Sequence, residues 1–338
     1  MYLGKLVILI LHIITCINQY ESTPLDDYVN APDPHFGWTV IKTYEEPDYT
    51  LYIVNFTSQK WIDETFSTRS IWWHYLCINV PNHLTRSKTA FMLIDGGSNT
   101  DGMPQPNDES VALMSMLAVS TGTWTSAAVD SKRIIGAVPI VMDLVNLQID
   151  VFWRDLQRAT GGTYLRRIPN AEHQCIGHLI SILLTMRSFY LSIYENQSLP
   201  SLTWIKSSNN THGYIRAIVD FSMGPKPISA IGYRARTLDD KRRDFRLFIA
   251  NPSDPVKPMA NPVLWFTTPL VIESQTNTTI IYSLTIENPL DGWEGFFIQV
   301  NFPGPDGSVL ELTSETQVIP DTYPTGDCHN EGCAGTLV

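Results

Sequence analysis

Hydrophobic and polar positions divide this chain into three stretches of different character. At the N-terminus, Leu6–Ile14 reads LVILILHII, an apolar run interrupted only by His12 and set between Lys5 and the polar segment 18–22. A basic start, a short apolar stretch and a polar exit predict a secretory signal peptide over residues 1–20, cut near residues 16–21. Residues 36–56 and 71–80 are then rich in Trp, Tyr, Val, Ile and Thr and partly alternate apolar and polar side chains. FGWTVIK, YTLYIVNFT and IWWHYLCINV are the segments that predict strands, with Glu45–Glu46–Pro47–Asp48 as a turn. Thr89–Asp95 is a short apolar run that stops at Gly96–Gly97–Ser98–Asn99, the pattern of a buried strand at an α/β sheet edge. Apolar residues at helical spacing predict helices over Glu109–Val119 and Gly177–Tyr194, and Ile134–Met142 reads as another buried strand. Beyond about residue 200 the segments shorten. Thr203–Lys206, Tyr214–Phe221, Ala230–Ala235, Phe245–Ile249, Val263–Phe266, Thr279–Ile286, Phe296–Phe302 and Gln317–Ile319 are punctuated by Pro, Gly and Asn, as in an all-β sandwich. The expected organisation is a sheet domain over 21–198, a β-sandwich-like domain over 199–326 and a Cys-containing tail over 327–338.

Composition narrows the function. The 338 residues carry 23 basic and 34 acidic side chains, a net charge of −11, which argues against a nucleic-acid partner. With 43% hydrophobic and 17% charged residues the chain is globular, and its longest apolar run is too short for a membrane span. Four N-x-[ST] sequons, at Asn55, Asn196, Asn209 and Asn277, suit glycosylation in a secretory compartment. Removing the leader with Cys16 would leave Cys77, Cys175, Cys328 and Cys333, an even set suited to disulfides. Cys328 with Cys333 would close a small tail loop, leaving Cys77 and Cys175 as a staple or as two buried thiols. No CxxC or paired-His spacing accompanies them, so neither a metal site nor a cofactor is expected.

Several segments together resemble one family. They are LDDYV at 25–29, TSQKW at 57–61, GGSN at 96–99, WTSAAVDSKRIIGAVPIVMD at 124–143, FWRDL at 152–156, PNAEH at 169–173, RRDF at 242–245 and VIPDTYP at 318–324. The chain is similar to the PhoPQ-activated pathogenicity-related proteins, a family that includes autocrine proliferation repressors. The resemblance implies a secreted protein of the α/β-hydrolase superfamily with a C-terminal β-rich domain. The expected fold class is therefore α/β: a truncated α/β-hydrolase-like sheet domain followed by an all-β sandwich-like domain.

The resemblance also makes two absences visible. The family's Gly-Ala-Ser-Lys-Arg-Gly nucleophile turn would precede Trp124, yet Ser120–Thr121–Gly122–Thr123 runs straight into it. A Gly-Asp-Glu-Phe-Phe acid motif would lie between Asn146 and Phe152, where only Leu147–Val151 stands. No G-x-S-x-G occurs anywhere in the chain. Ser131 echoes the motif but lacks its glycines and precedes a strand, and Ser126 reads as helix surface or packing. His173 stands on a loop before an apolar helix and matches the family's catalytic base. Asp143 ends a buried strand and is a substitute for the orienting acid, or else a cap; Asp150 and Asp155 are weaker choices. Gly96 and Gly97 fall where oxyanion N–H donors would sit, or form a simple tight turn. A triad without its nucleophile retains only the residual rate of binding and oxyanion contacts, roughly 10³–10⁴-fold over water. The expected function is that of a secreted, catalytically impaired family member in extracellular binding or signalling, with a cell-surface receptor or extracellular protein as partner. The alternatives are a serine hydrolase or peptidase whose full-length form retains the nucleophile, and a non-functional fragment.

Overall fold

The computed structural model describes residues 24–93, 102–125, 140–142, 164–171, 177–251 and 253–324. The chain divides into two compact units, one of Met1–Thr43 with Tyr52–Cys77 and one of Tyr44–Leu51 with Ile78–Val338.

The first unit holds helix α1 (Pro24–Asn30) and most of strands β1 (Gly37–Glu45), β2 (Tyr49–Lys60) and β3 (Ile71–Pro81), which lie side by side in that order. Tyr28 joins the helix to the end of β2. Its hydroxyl donates to the Lys60 carbonyl and accepts from the Ile62 N–H at 2.9 Å, and its ring meets Trp61 edge-on at 5.3 Å. Asp33 accepts the N–H groups of Lys60 at 2.5 Å and His35 at 2.8 Å. These bonds favour the ionised carboxylate, the Lys60 N–H most of all, and hold its pKa below the ordinary value. Asp63 and Glu64 are lowered in the same direction, chiefly by the hydroxyls of Thr65 and Ser70. A carboxylate depressed in the folded state contributes stability that is complete above its unfolded pKa, near about 4, and is lost as pH falls through the folded value. Urea melts followed by Trp fluorescence are therefore expected to show this unit weakening below pH ~4, with a smaller acid dependence in Asp33→Asn.

In the second unit a four-stranded antiparallel sheet runs β14 (Val271–Gln275), β15 (Thr279–Glu287), β9 (His212–Asp220), β8 (Ser201–Ser208). A second antiparallel sheet runs β13 (Phe266–Thr268), β10 (Ser229–Arg236), β16 (Glu294–Pro303), β17 (Val309–Thr313), with β18 (Gln317–Ile319) also on β16. The strict alternation of β9 and β15 puts Ile215, Ala217, Val219, Ile280, Tyr282, Leu284 and Ile286 into a shared core with Phe296, Ile298, Val300 and Phe302 of β16. β16 does not alternate, because its other face is covered too. Phe297 lies among Phe245, Trp265, Trp293 and Val318. A further two-stranded ribbon is formed by β11 (Phe248–Asn251) and β12 (Asp254–Ala260).

Further elements among the described residues include β4 (Arg86–Phe91), α2 (Glu109–Thr121), β5 (Thr123–Thr125), β6 (Ile140–Met142), β7 (Arg166–Ile168) and α3 (Leu179–Tyr194). Leu113, Met114 and Leu117 of α2 pack against Ile182, Leu183 and Met186 of α3, with Ile168 and Ala171 between them. β5 pairs antiparallel with β3 at Asn79↔Thr125 and parallel with β4, and β6 pairs parallel with β7.

This architecture overturns the α/β-hydrolase-like expectation. Strands make up 46% and helices 15% of the structure, and several sheets are antiparallel. The described parallel pairings are confined to β4 with β5 and β6 with β7, each a three-residue register. A run of apolar residues reports burial on both faces, whether helices or another layer of an antiparallel stack supply the cover. Reading TAFMLID and IIGAVPIVM as buried strands of an α/β-hydrolase-like sheet took that signal for more than it contains.

Candidate functional site

The strand leading to Asp143 and the strand leading to His173 are neighbours. β6 and β7 run parallel with Ile140 opposite Arg166, Val141 opposite Arg167 and Met142 opposite Ile168, so both point their C-terminal ends the same way. Asp143, His173, Gly96 and Gly97 themselves lie outside the described residues, as do Ser126, Ser131, Asp150, Asp155, Cys175, Cys328 and Cys333.

What holds β7 and the loop after it is well defined. Arg166 is buried; its guanidinium donates to the Ser181 carbonyl at 2.8 Å, to the Ser181 hydroxyl and to the Glu311 carboxylate of β17. The Arg167 N–H donates to Thr313 Oγ1 at 3.0 Å, and the Thr313 N–H to the Leu165 carbonyl at 2.7 Å. Two residues past the strand, Asn170 adopts a left-handed backbone, φ 60°. From there its amide grips the backbone of Trp265, donating to the carbonyl at 3.0 Å and accepting the N–H at 2.8 Å. The Trp265 ring packs on Phe297 at 5.2 Å and Phe245 at 5.8 Å. Asn is among the few non-glycine residues that tolerate this φ, and its side chain supplies both halves of the clamp. Asn170→Ala loses both and is expected to cost about 1–2 kcal/mol, measured as a shift in the urea midpoint with unchanged slope.

Two more of the resembling segments meet nearby. Arg243, from RRDF, stacks on the Tyr323 ring at 4.3 Å, donates to the Thr322 carbonyl at 2.8 Å and lies 3.7 Å from Asp321. Burial pulls its guanidinium pKa down, opposed by Tyr323 and Asp321. Trp293 Nε1 donates to the same Thr322 carbonyl at 2.8 Å. Burial raises the Tyr233 phenol, and the Glu311 charge raises it further.

The junction at Trp124 is also on view. Gly122 caps α2 in a left-handed conformation, φ 64°, and the chain passes at once into β5. Every hydroxyl along it is engaged with backbone. Ser120 and Thr121 donate to the Leu117 carbonyl, at 3.3 and 2.6 Å. Thr123 donates to the Thr89 carbonyl at 2.8 Å and Thr125 to that of Met114 at 2.9 Å. These side chains close the turn and the strand; none is presented as a nucleophile on a strand-to-helix elbow.

The four sequon asparagines, Asn55, Asn196, Asn209 and Asn277, are all exposed. Asn209 accepts from the Thr211 N–H at 2.8 Å and hydroxyl at 3.0 Å. Cys77 is half-buried on β3. Among the described residues no group of three or more His, Cys, Asp and Glu side chains is arranged to hold a metal ion, and no helix is long and apolar enough to cross a membrane.

Sequence reasoning missed Arg166, Glu311, Asn170 and Arg243 as organisers of this region. The signals available were the Pro169–Asn170 turn pair and the lone charge in VLELT, a strand whose neighbouring leucines are buried.

The family model described as PhoPQ-activated pathogenicity-related protein matches residues 25–125 and 148–246, more than half of the chain. Autocrine proliferation repressor protein A of Dictyostelium discoideum is 24% identical over 493 aligned residues, covering 98% of this chain and 97% of that protein.

Proposed function

Because the chain belongs to the PhoPQ-activated pathogenicity-related protein family, we propose that it is a secreted, glycosylated and catalytically impaired member that acts by binding an extracellular partner. Restraint of proliferation, named in the Dictyostelium relative, is the activity we carry over as the signalling outcome. The junction from Ser120 to Thr125 carries the reading. A serine hydrolase needs a hydroxyl free to attack and a base beside it. The junction hydroxyls here are committed to backbone carbonyls, in the place where the resemblance implies a serine turn. Asp143 and His173 follow adjacent parallel strands, which suits a remnant of the acid and base. The apolar leader, the four exposed sequon asparagines and the even cysteine set of the processed chain support secretion.

Expression in a eukaryotic secretory host tests both halves. The product is expected in the medium, to lose apparent mass on enzymatic removal of N-glycans, and to take no label from a fluorophosphonate probe. Stoichiometric labelling of a serine would defeat the impairment, and retention in the cytosol without glycans would defeat the secretion.

One observation supports a second reading. The 493 aligned residues exceed the 338 of this chain, so parts of the relative stand opposite gaps here. A longer form of this protein would carry those parts, and the serine turn that the resemblance implies would be among them. Sequencing transcripts across codons 123 and 147 separates the readings, since a transcript joining Thr123 directly to Trp124 rules out the longer form at that point.

A further inference from the structure

We propose that the glycan on Asn196 folds back onto the protein and seats its first sugar in a cleft beside the C-terminal end of α3. The proposal rests on the glycosylation argued above and gives one of the four glycans a binding place. Asn196 is fixed by the helix end. α3 closes with a Schellman arrangement, in which the Gln197 N–H donates to the Ser192 carbonyl at 2.8 Å and the Asn196 N–H to the Ile193 carbonyl at 3.1 Å. Asn196 holds the left-handed position of the motif, φ 54°, which glycine usually fills and asparagine tolerates. The residue is exposed. Gln197 and Ser198, which complete its sequon, also line the cleft. The attachment point thus stands one residue, about 3.8 Å between Cα atoms, from the cavity wall.

The cleft measures about 340 Å³, near the lower limit of ligand cavities at roughly 300 Å³. It has room for the innermost sugar and not for a branched glycan. None of its lining residues is charged, which matches a neutral N-acetylated sugar and disfavours an ionic ligand. Pro200, Pro225, Pro303 and Leu310 supply apolar surface for the C–H face of the ring. Ser192, Gln197 and Ser198 supply hydroxyl and amide groups for its own hydroxyls and acetamide. The Ser192 hydroxyl donates to the Ser188 carbonyl at 2.9 Å and keeps its lone pairs as acceptors. Leu310 is 1% exposed and Met223 83%, so the cleft runs from the core to an exposed thioether, whose flexible side chain can close over the ring. Affinity need not be high, because a short tether holds the sugar at roughly millimolar effective concentration.

The full chain from a eukaryotic secretory host is the material for the test. Glycopeptide mass spectrometry is expected to find Asn196 occupied. Peptide N-glycosidase acting on the native protein is expected to release that glycan about tenfold more slowly than those of other occupied sequons, as a docked state favoured about tenfold requires. After denaturation all are released alike. Dilute peroxide is expected to oxidise Met223 several-fold faster in Ser198→Ala, which lacks the sequon, than in the wild type. Ser198→Thr keeps the sequon and is expected to restore the wild-type rate, while Met259 reacts equally in all three proteins. Release from Asn196 as fast as from the other sequons, or a Met223 rate indifferent to the glycan, overturns the proposal. An empty Asn196 beside occupied sequons overturns it too, and leaves glycosylation of the chain standing; a secreted product with no glycan at all sinks both.

Discussion

Phe296→Ala is expected to destabilise the second unit by about 3–5 kcal/mol, the usual cost of emptying a fully buried aromatic site. The ring has no exposed surface and stands in the core shared by the two large antiparallel sheets. Relaxation into the space is restricted, because a Cβ at Gly213 on β9 would stand only 2.8 Å from the Phe296 ring and 2.6 Å from the Ile319 side chain. The same geometry makes Gly213→Ala unfavourable by overpacking, on the order of 1–3 kcal/mol. The two changes should therefore couple. Combining Gly213→Ala with Phe296→Leu is expected to cost less than the two separate losses together, and a double-mutant cycle on urea unfolding measures the difference. Strict additivity would mean that the strands are not packed as closely as the coordinates place them.

Glu311→Ala is expected to cost about 2–4 kcal/mol, most of it the loss of a carboxylate bonded to the buried Arg166 guanidinium. Arg166 has 3% of its side chain exposed and Glu311 28%, so water relieves part of the loss on the carboxylate side. The bonds from Arg166 to Ser181 remain and keep the figure below that of a fully isolated charge. Glu311→Gln retains an acceptor and is expected to recover about half of the loss. Because β7 is held to β17 through this pair, hydrogen exchange should rise in residues 164–171 before the core of β16 is affected. Equal acceleration throughout the unit would show that the pair acts on global stability alone.

The resemblance read from short segments proved informative about kinship and misleading about fold. LDDYV, TSQKW, PNAEH and RRDF fall within the regions matched by the family model. The local elements also follow their side chains closely. The helical spacing over 109–119 yields α2, that over 177–194 yields α3, and the alternation in YIRAIVD yields β9. Other elements were silent. Residues 254–260 contain two prolines and 271–275 are exposed throughout, so neither shows the alternation that marks a half-buried strand.

The sequence alone carries an apolar N-terminal run, a globular and acidic composition, four N-x-[ST] tripeptides and no G-x-S-x-G, because each is a property of neighbouring residues or of the sum of them. Tertiary structure decided that β16 is covered on both faces, that Glu311 meets Arg166, that Asn170 grips Trp265 and that β6 lies beside β7. Those pairings join residues far apart in the chain, and local periodicity records how deeply a side chain is buried without recording what lies against it.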